Sequence, residues 1–123
     1  MDAAEALAEL TRTSAQIQGA VLAGPRGGLH ASTFADDERA RAIAQAAYEL
    51  LKAADEVRTE GGEGLAQLEA ALPDGSVFVV RDDDHIVAAV TIPQPTVGLV
   101  FYDLKTCLRM AGEAKKEPAA GTS

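Results

Sequence analysis

The side chains best suited to holding a metal ion stand together in the run Asp82-Asp83-Asp84-His85. Carboxylate oxygens and imidazole nitrogens are common metal ligands, but adjacent residues in a tight turn cannot all converge on one ion. The ligand spacing of a calcium-binding loop is absent. The other histidine, His30, has no cysteine or glutamate at the spacing of a zinc site. We therefore predict a solvated turn, an exposed strand position for each histidine, and no metal.

The residues that could act as nucleophiles or bind nucleotide also point away from catalysis. Cys107 lies beside an apolar helical stripe, where a free cysteine usually serves as a small core hydrophobe. The run Gly24-Pro25-Arg26-Gly27-Gly28 is rich in glycine but lacks the Gly-Lys-Ser/Thr of a phosphate loop, and it joins two predicted strands. No Ser, His and Asp combination can be assembled from the sequence. We therefore expect no enzyme activity and no cofactor.

Composition and charge exclude several classes of partner. The chain has 123 residues, which suits one domain, and a net charge of −8. An acidic chain without a basic stripe is poorly suited to bind nucleic acid or anionic lipid. It has no apolar run long enough to span a membrane, no signal-peptide pattern, and one cysteine, which cannot form a disulfide framework. We therefore expect a cytoplasmic protein.

The helical pattern from Asp36 to Arg58 is apolar over a wider arc than one contact requires. One stripe follows helical spacing and consists of Ala40, Ile43, Ala47, Leu50, Ala54 and Val57. Further apolar residues widen the arc on both sides, namely Ala42, Ala46 and Ala53 on one and Ala44 and Leu51 on the other. The total reaches roughly 200°, whereas a helix on one surface needs only about 100°. We infer a second packing surface and hence a partner; the alternative is that alanine is a helix former tolerated in water.

The remaining pattern predicts the elements that surround this helix. Helices are indicated for Ala3 to Ala15 and for the residues after Thr96. Strands are indicated at Gln16 to Ala23, Gly28 to Thr33, Ser76 to Arg81 and His85 to Ile92. The strands that begin at Ile17, Val77 and Ile86 are apolar on both faces and belong in the middle of a covered sheet, and the alternating strand at Leu29 belongs at an edge.

Two segments are harder to interpret. Leu65 to Leu72 has a helix-forming composition, but it is short and the turn Pro73-Asp74-Gly75 follows it, so strand and helix both remain open. If it is a strand, its weak strand propensity suits an edge with open donors and acceptors. Residues 115–123 are small and polar, and we expect them to form a disordered tail behind a domain of residues 1–114.

The order helix–strand–strand–helix–strand–strand–strand–helix resembles the roadblock/dynein light chain domain family, over about Ala4 to Glu113. The resemblance rests on the segments Gln18 to Leu22, Gly27-Gly28-Leu29, the alanine-rich central helix, Ser76 to Arg81 and Val97 to Leu104. The last of these is similar to the final helix of bacterial members that are encoded near Ras-like GTPases. The sequence departs from the family at Leu65 to Ala71, where members usually have a clearer β-branched strand.

The resemblance implies an α+β (α/β) fold, profilin-like, with a five-stranded antiparallel sheet and helices on both faces. It also implies a non-enzymatic homodimer in which the third strands pair edge to edge and the central helices pack together. Bacterial members bind small Ras-like GTPases through the paired-helix surface. The alternatives are an assembly scaffold for a non-GTPase partner, as in relatives attached to dynein, and a small-molecule sensor domain.

The wide helical arc and the resemblance together predict an interface, although they leave open which edge of the helix faces the mate. Its expected residues are Ala42, Ala44, Ala46, Ala47, Tyr48, Leu51, Ala53, Leu65, Gln67, Leu68 and Glu69. Arg39, Arg41 and Arg58 on the same helix could stabilise phosphoryl-transfer charge in a GTPase partner. We expect instead that such a protein positions the partner's own residues, and the sequence leaves activation and anchoring undecided.

Overall fold

The structure is a computed structural model that describes residues 2–57, 67–73 and 75–121. The elements follow the order α-β-β-α-β-β-β-α, which confirms the predicted order. Their bounds are α1 Ala3–Thr13, β1 Ile17–Ala23, β2 Leu29–Ser32, α2 Asp37–Val57, β3 Gln67–Leu72, β4 Gly75–Arg81, β5 Ile86–Thr91 and α3 Val97–Gly121.

The five strands form one antiparallel sheet in the order β2-β1-β5-β4-β3. The strands apolar on both faces, β1, β4 and β5, are central, and β2 and β3 are the edges, as the hydrophobic pattern predicts. The open question about residues 65–72 is resolved for the described part, because Gln67–Leu72 is a strand paired with β4. Backbone pairing with β4 outweighs the weak strand propensity of this segment.

Helices cover both faces of the sheet and enclose two cores. Beneath α1 and α3 the sheet buries Phe78, Val80, Val87 and Ala89. Beneath α2 it buries Val21, Val79, Ile86 and Ala88. Successive strand residues therefore alternate between the two cores, which is why these strands are apolar throughout.

Aspartates at the helix starts fix where α1 and α2 begin. Asp2 and Glu5 form a reciprocal capping box on α1, in which each side chain accepts a hydrogen bond from the other's backbone N–H. Asp36 Oδ1 accepts from the N–H groups of Glu38 at 3.0 Å and Arg39 at 3.4 Å. The central helix therefore begins where its acidic run predicts.

The last helix extends farther than the hydrophobic pattern indicates. α3 is helical to Gly121 and thus runs into residues 115–123, the predicted disordered tail. Alanine, glutamate and lysine in this part of the chain are good helix formers. The domain boundary at residue 114 remains a prediction. Within the described ranges, no helix is long and apolar enough to cross a membrane.

Candidate protein-interaction surface

The inner side of α2 packs on the sheet and belongs to the core of this chain. Ala40, Ala44, Ala47 and Leu51 are at most 2% exposed and contact the core beneath α2. Three of them, Ala44, Ala47 and Leu51, were predicted to face a partner. Their burial leaves no side-chain surface for one, so the interface prediction is corrected at these positions. Helical spacing alone could not tell which part of a wide apolar arc meets the sheet.

The opposite part of the arc is apolar and faces solvent. Ala42, Ala46 and Ala53 are exposed, and Leu50 between them keeps 47% of its surface accessible. We call these four residues the outer apolar flank. Leu50 was not among the predicted interface residues, because its helical spacing groups it with Ala40, Ile43 and Ala47 in one stripe. The sequence could have predicted its exposure together with Ala46, because Leu50 lies one turn beyond Ala46 on the same side of the helix.

Contacts at the first hairpin show which way the outer apolar flank points. Gly27, in the turn between β1 and β2, has φ of 89°, and a Cβ there would lie 2.9 Å from Tyr48 Cβ and 3.3 Å from Gln45 Oε1. This close approach places the Tyr48 side of α2 above the β1–β2 turn, and α2 packs mainly on β1, β2 and β5. The outer apolar flank lies on the other side of the helix from Tyr48. Half-buried Tyr48, a predicted interface residue, points away from that side.

The edge strand β3 carries the remaining residues of the predicted interface. Leu68 is half-buried, pairs with Val79 and packs against the core beneath α2. Gln67 is half-buried, while Glu69 is exposed. Of the predicted interface residues on this segment, Leu65 lies outside the described residues. The outer apolar flank and the edge of β3 are thus the two exposed features that we take as the candidate surface.

The arginines of α2 differ in their contacts. The guanidinium carbon of Arg39 lies 5.0 Å from the ring centroid of Phe34, a cation–π contact that joins α2 to the loop before it. Arg41 is exposed, and Arg58 lies outside the described residues. Arg39 therefore has a structural contact within the chain.

The candidate metal-binding run forms a hydrogen-bonded turn. Asp82 Oδ1 accepts from the backbone N–H of Asp84 at 2.9 Å and of His85 at 2.8 Å, so this carboxylate orders the turn. Across residues 2–57, 67–73 and 75–121, no group of three His, Cys, Asp or Glu side chains could hold a metal ion.

The two histidines differ in exposure. His30 is exposed, but the prediction of an exposed His85 is wrong, because only 6% of its surface is accessible. The two imidazole rings meet edge to face with centroids 5.7 Å apart. Gly24 leaves room for this contact, since a Cβ there would lie 3.2 Å from His30 Nε2.

Cys107 is a core residue, as predicted. Its side chain is 1% exposed, and its thiol donates to the backbone carbonyl of Ala6 at 3.6 Å. Burial raises the pKa of Cys107 from 9.0 to about 12. A reactive cysteine needs an accessible thiolate, so this thiol has neither the access nor the charge of a nucleophile.

Two cavities in the described part of the chain are shallow and open. One, between α1 and α3, holds about 130 Å³ and is lined in part by Leu10, Tyr102 and Met110. The other, of about 390 Å³, lies between the β3–β4 turn and the start of α3. Small-molecule sites usually enclose about 300 to 1,000 Å³ and bury most of the ligand. The first cavity is too small for such a ligand, and the second is an open groove.

Comparison with known proteins identifies the fold. No family model matches the sequence, and no curated protein matches it. The structure is similar to a Roadblock/LC7 domain from Streptomyces avermitilis, with a TM-score of 0.84 and 16% identity over 94% of this chain and 99% of that one.

Two MglB structures and a profilin are also similar. MglB from Myxococcus xanthus has a TM-score of 0.78 and 12% identity over 93% of this chain and 95% of that one. An MglB described in a tetrameric arrangement has a TM-score of 0.76 and 17% identity over 93% and 88%. Profilin IA from Acanthamoeba castellanii has a TM-score of 0.60 and 16% identity over 89% and 97%. The resemblance inferred from the order of elements is thus confirmed in three dimensions: the chain has the α+β fold of Roadblock/LC7 domains, including MglB, which profilin shares.

Proposed function

We propose that this protein is a cytoplasmic, non-enzymatic homodimer that binds and regulates a small Ras-like GTPase through the surface of its paired α2 helices. The observation that carries the proposal is the outer apolar flank, which faces solvent in a chain whose sheet also ends in the edge strand β3. A second copy covers both features at once. This protects apolar surface from water and gives the strand edge a hydrogen-bonding neighbour.

The small side chains of the outer apolar flank suit a helix–helix contact. Ala42, Ala46 and Ala53 let two α2 helices approach closely, and Leu50 supplies the largest apolar side chain of the contact. An MglB in a tetrameric arrangement supports the idea that this fold is compatible with self-association.

The side of α2 that faces neither the sheet nor the outer apolar flank is polar and suits a soluble partner. Arg41, Gln45, Glu49 and Lys52 are exposed there, and Gln45 donates to Glu49 at 3.0 Å. When the two α2 helices pair, their polar sides lie next to each other and form one surface. We assign the binding of the GTPase to this surface. The choice of a Ras-like GTPase rests on the family resemblance, since fold alone does not define a partner.

We assign to this surface the positioning of groups of the GTPase. Arg39, at the start of α2, already contacts the ring of Phe34 of the same chain. Arg41 is exposed on the polar side of α2, so Arg41→Ala tests whether an arginine of this chain acts directly on the partner's phosphates. If the dimer instead orients the partner's own catalytic residues, this variant keeps its effect on GTP hydrolysis.

The test is binding of a purified Ras-like GTPase from the same genome, loaded in turn with GDP and with a non-hydrolysable GTP analogue. The proposal predicts a complex by size-exclusion chromatography whose stability depends on the bound nucleotide. Glu49→Arg, on the polar side of α2, should weaken the complex and leave the dimer intact. Failure to bind in either state, with the dimer intact, would contradict the GTPase proposal and favour an assembly scaffold.

Hydrolysis of GTP in the same mixture separates activation from anchoring. A raised rate shows that the dimer activates the GTPase, whereas binding at an unchanged rate shows that it anchors the GTPase. A small-molecule sensor is the least favoured alternative, because the described cavities are small or open.

A further inference from the structure

The free edge of β3 is the part of the surface whose pairing can be specified residue by residue. β3 stands last in the sheet order, and β4 occupies its other edge along the whole strand. Glu69, Ala70 and Ala71 are exposed on β3. Resting on the homodimer proposed above, we infer the register of the contact: the two-fold axis passes beside Ala70, which lies opposite Ala70 of the second copy.

The geometry of antiparallel pairing restricts the register to a few choices. In an antiparallel pair, two residues opposite each other either exchange backbone hydrogen bonds or make none with each other. These hydrogen-bonded and non-hydrogen-bonded pairs alternate along the strands. When a strand pairs with its own copy, positions opposite each other must therefore differ by an even number. One residue then lies directly opposite itself, and the two-fold axis passes beside it.

The length of β3 favours a register centred near its middle. The strand spans positions 67 to 72. If residue 69 lies opposite itself, positions 67 to 71 of one copy pair with positions 71 to 67 of the other. If residue 70 lies opposite itself, positions 68 to 72 pair with positions 72 to 68. Centres farther out pair fewer of the described positions 67 to 72, so Glu69 and Ala70 are the competing centres within that range.

Charge decides between the two centres. A register centred on Glu69 puts two exposed carboxylates directly opposite each other, and like charges in that position destabilise a strand pair. A register centred on Ala70 puts alanine opposite alanine and Glu69 opposite Ala71. The net charge of −8 on each chain adds to the advantage of separating these carboxylates.

The same register brings apolar residues together beneath the paired helices. Leu68 pairs with Val79, and Ala70 pairs with Val77, across the β3–β4 ladder. Val77 and Val79 belong to the core beneath α2, so Leu68 and Ala70 lie on that face of the sheet. In the dimer, Leu68 and Ala70 of both copies form one apolar seam that continues into the two outer apolar flanks.

Disulfide cross-linking of variants that each carry one introduced cysteine tests the register with the protein alone. Residues opposite each other have Cα atoms about 4.5 to 5.5 Å apart, which suits a disulfide. Ala70→Cys should therefore give a covalent dimer under mild oxidation. Glu69→Cys should not, because its two copies are offset by two positions and lie about 8 Å apart. The parent chain is the control, since its Cys107 is buried.

A mixed experiment supplies an internal check. Glu69→Cys and Ala71→Cys are each expected to remain uncross-linked alone but to cross-link when the two variants are mixed, because these positions lie opposite each other in the inferred register. Cross-linking of Glu69→Cys alone, in a protein that light scattering shows to be a dimer, would overturn the register and leave the homodimer standing. A monomeric parent chain would overturn the homodimer and the register with it.

A pair of charge variants tests the register without oxidation. In the dimer, Ala71→Lys places a cation opposite Glu69 of the other copy, and symmetry repeats this pair once. Ala71→Glu places a second carboxylate opposite Glu69 at the same two places. The inferred register predicts a dissociation constant about 2- to 30-fold lower for the lysine variant, and a higher one for the glutamate variant. Equal dissociation constants for the two variants would contradict the register. Circular dichroism at matched concentration checks that both variants are folded.

Discussion

Leu50 and Leu51 are adjacent leucines of α2 that should respond in opposite ways to truncation. Leu51 is fully buried against the sheet of its own chain, whereas Leu50 keeps 47% of its surface accessible in the single chain. If the outer apolar flank is the dimer contact, Leu50→Ala weakens association and Leu51→Ala weakens the fold. The two variants remove the same atoms from neighbouring positions, so each is the matched control for the other.

The structure sets the size of both effects. Full burial of a leucine side chain contributes about 1.5 to 3 kcal/mol, so covering the exposed part of Leu50 contributes roughly 0.7 to 1.4 kcal/mol per subunit. Both subunits contribute in a two-fold dimer, so Leu50→Ala should raise the dissociation constant about 10- to 100-fold. Leu51→Ala instead creates a cavity in the core and should lower the free energy of unfolding by about 2 to 5 kcal/mol.

Two assays separate these effects. Sedimentation or light scattering over a dilution series gives the dissociation constant, and urea denaturation at a concentration where the protein is monomeric gives the free energy of unfolding. Unfolding of a dimer depends on protein concentration, so the denaturation must be done below the dissociation constant. A Leu50→Ala variant with the parent's dissociation constant would refute the outer apolar flank as the contact. A Leu51→Ala variant with the parent's stability would refute the packing of α2.

Three further predictions concern the fold. Gly75→Ala should lower the midpoint of thermal unfolding strongly, because Gly75 has φ of 156° and a Cβ there would lie 2.1 Å from the backbone oxygen of Thr91; an unchanged midpoint would contradict this packing. Cys107 should resist a thiol reagent at pH 8 until the protein is unfolded with denaturant. Its pKa is raised on folding to about 12, so folding favours the protonated thiol, and the free energy of unfolding should fall as the pH rises from about 9 toward 12. Rapid labelling of the folded chain, or stability that rises over that interval, would contradict the burial of this thiol.

Much of the fold could be predicted because the hydrophobic pattern is strong where the chain is buried. The runs that are apolar on both faces predicted the central positions of β1, β4 and β5 in the sheet. The alternating pattern at Leu29 predicted the edge position of β2. The strand at Gln67–Leu72 could not be decided from composition, because its stability comes from pairing with β4 rather than from local propensity.

Which side of α2 meets the sheet could be predicted only in part. An apolar arc of roughly 200° indicated that α2 has two packing sides, but alanine at many positions blurred the boundary between them. Ala44, Ala47 and Leu51 proved to be sheet-facing, and Leu50 proved to be exposed. The burial of His85 was missed because its ring meets that of His30, a contact between segments far apart in the chain that no local pattern records.

The homodimer is the claim on which the proposed function and the strand register both depend. Its most direct test is the molar mass of the untagged chain, measured by light scattering during size-exclusion chromatography at tens of micromolar. The chain mass is 12.7 kDa, so the account predicts a particle of twice that mass. A mass of 12.7 kDa at that concentration would contradict the account.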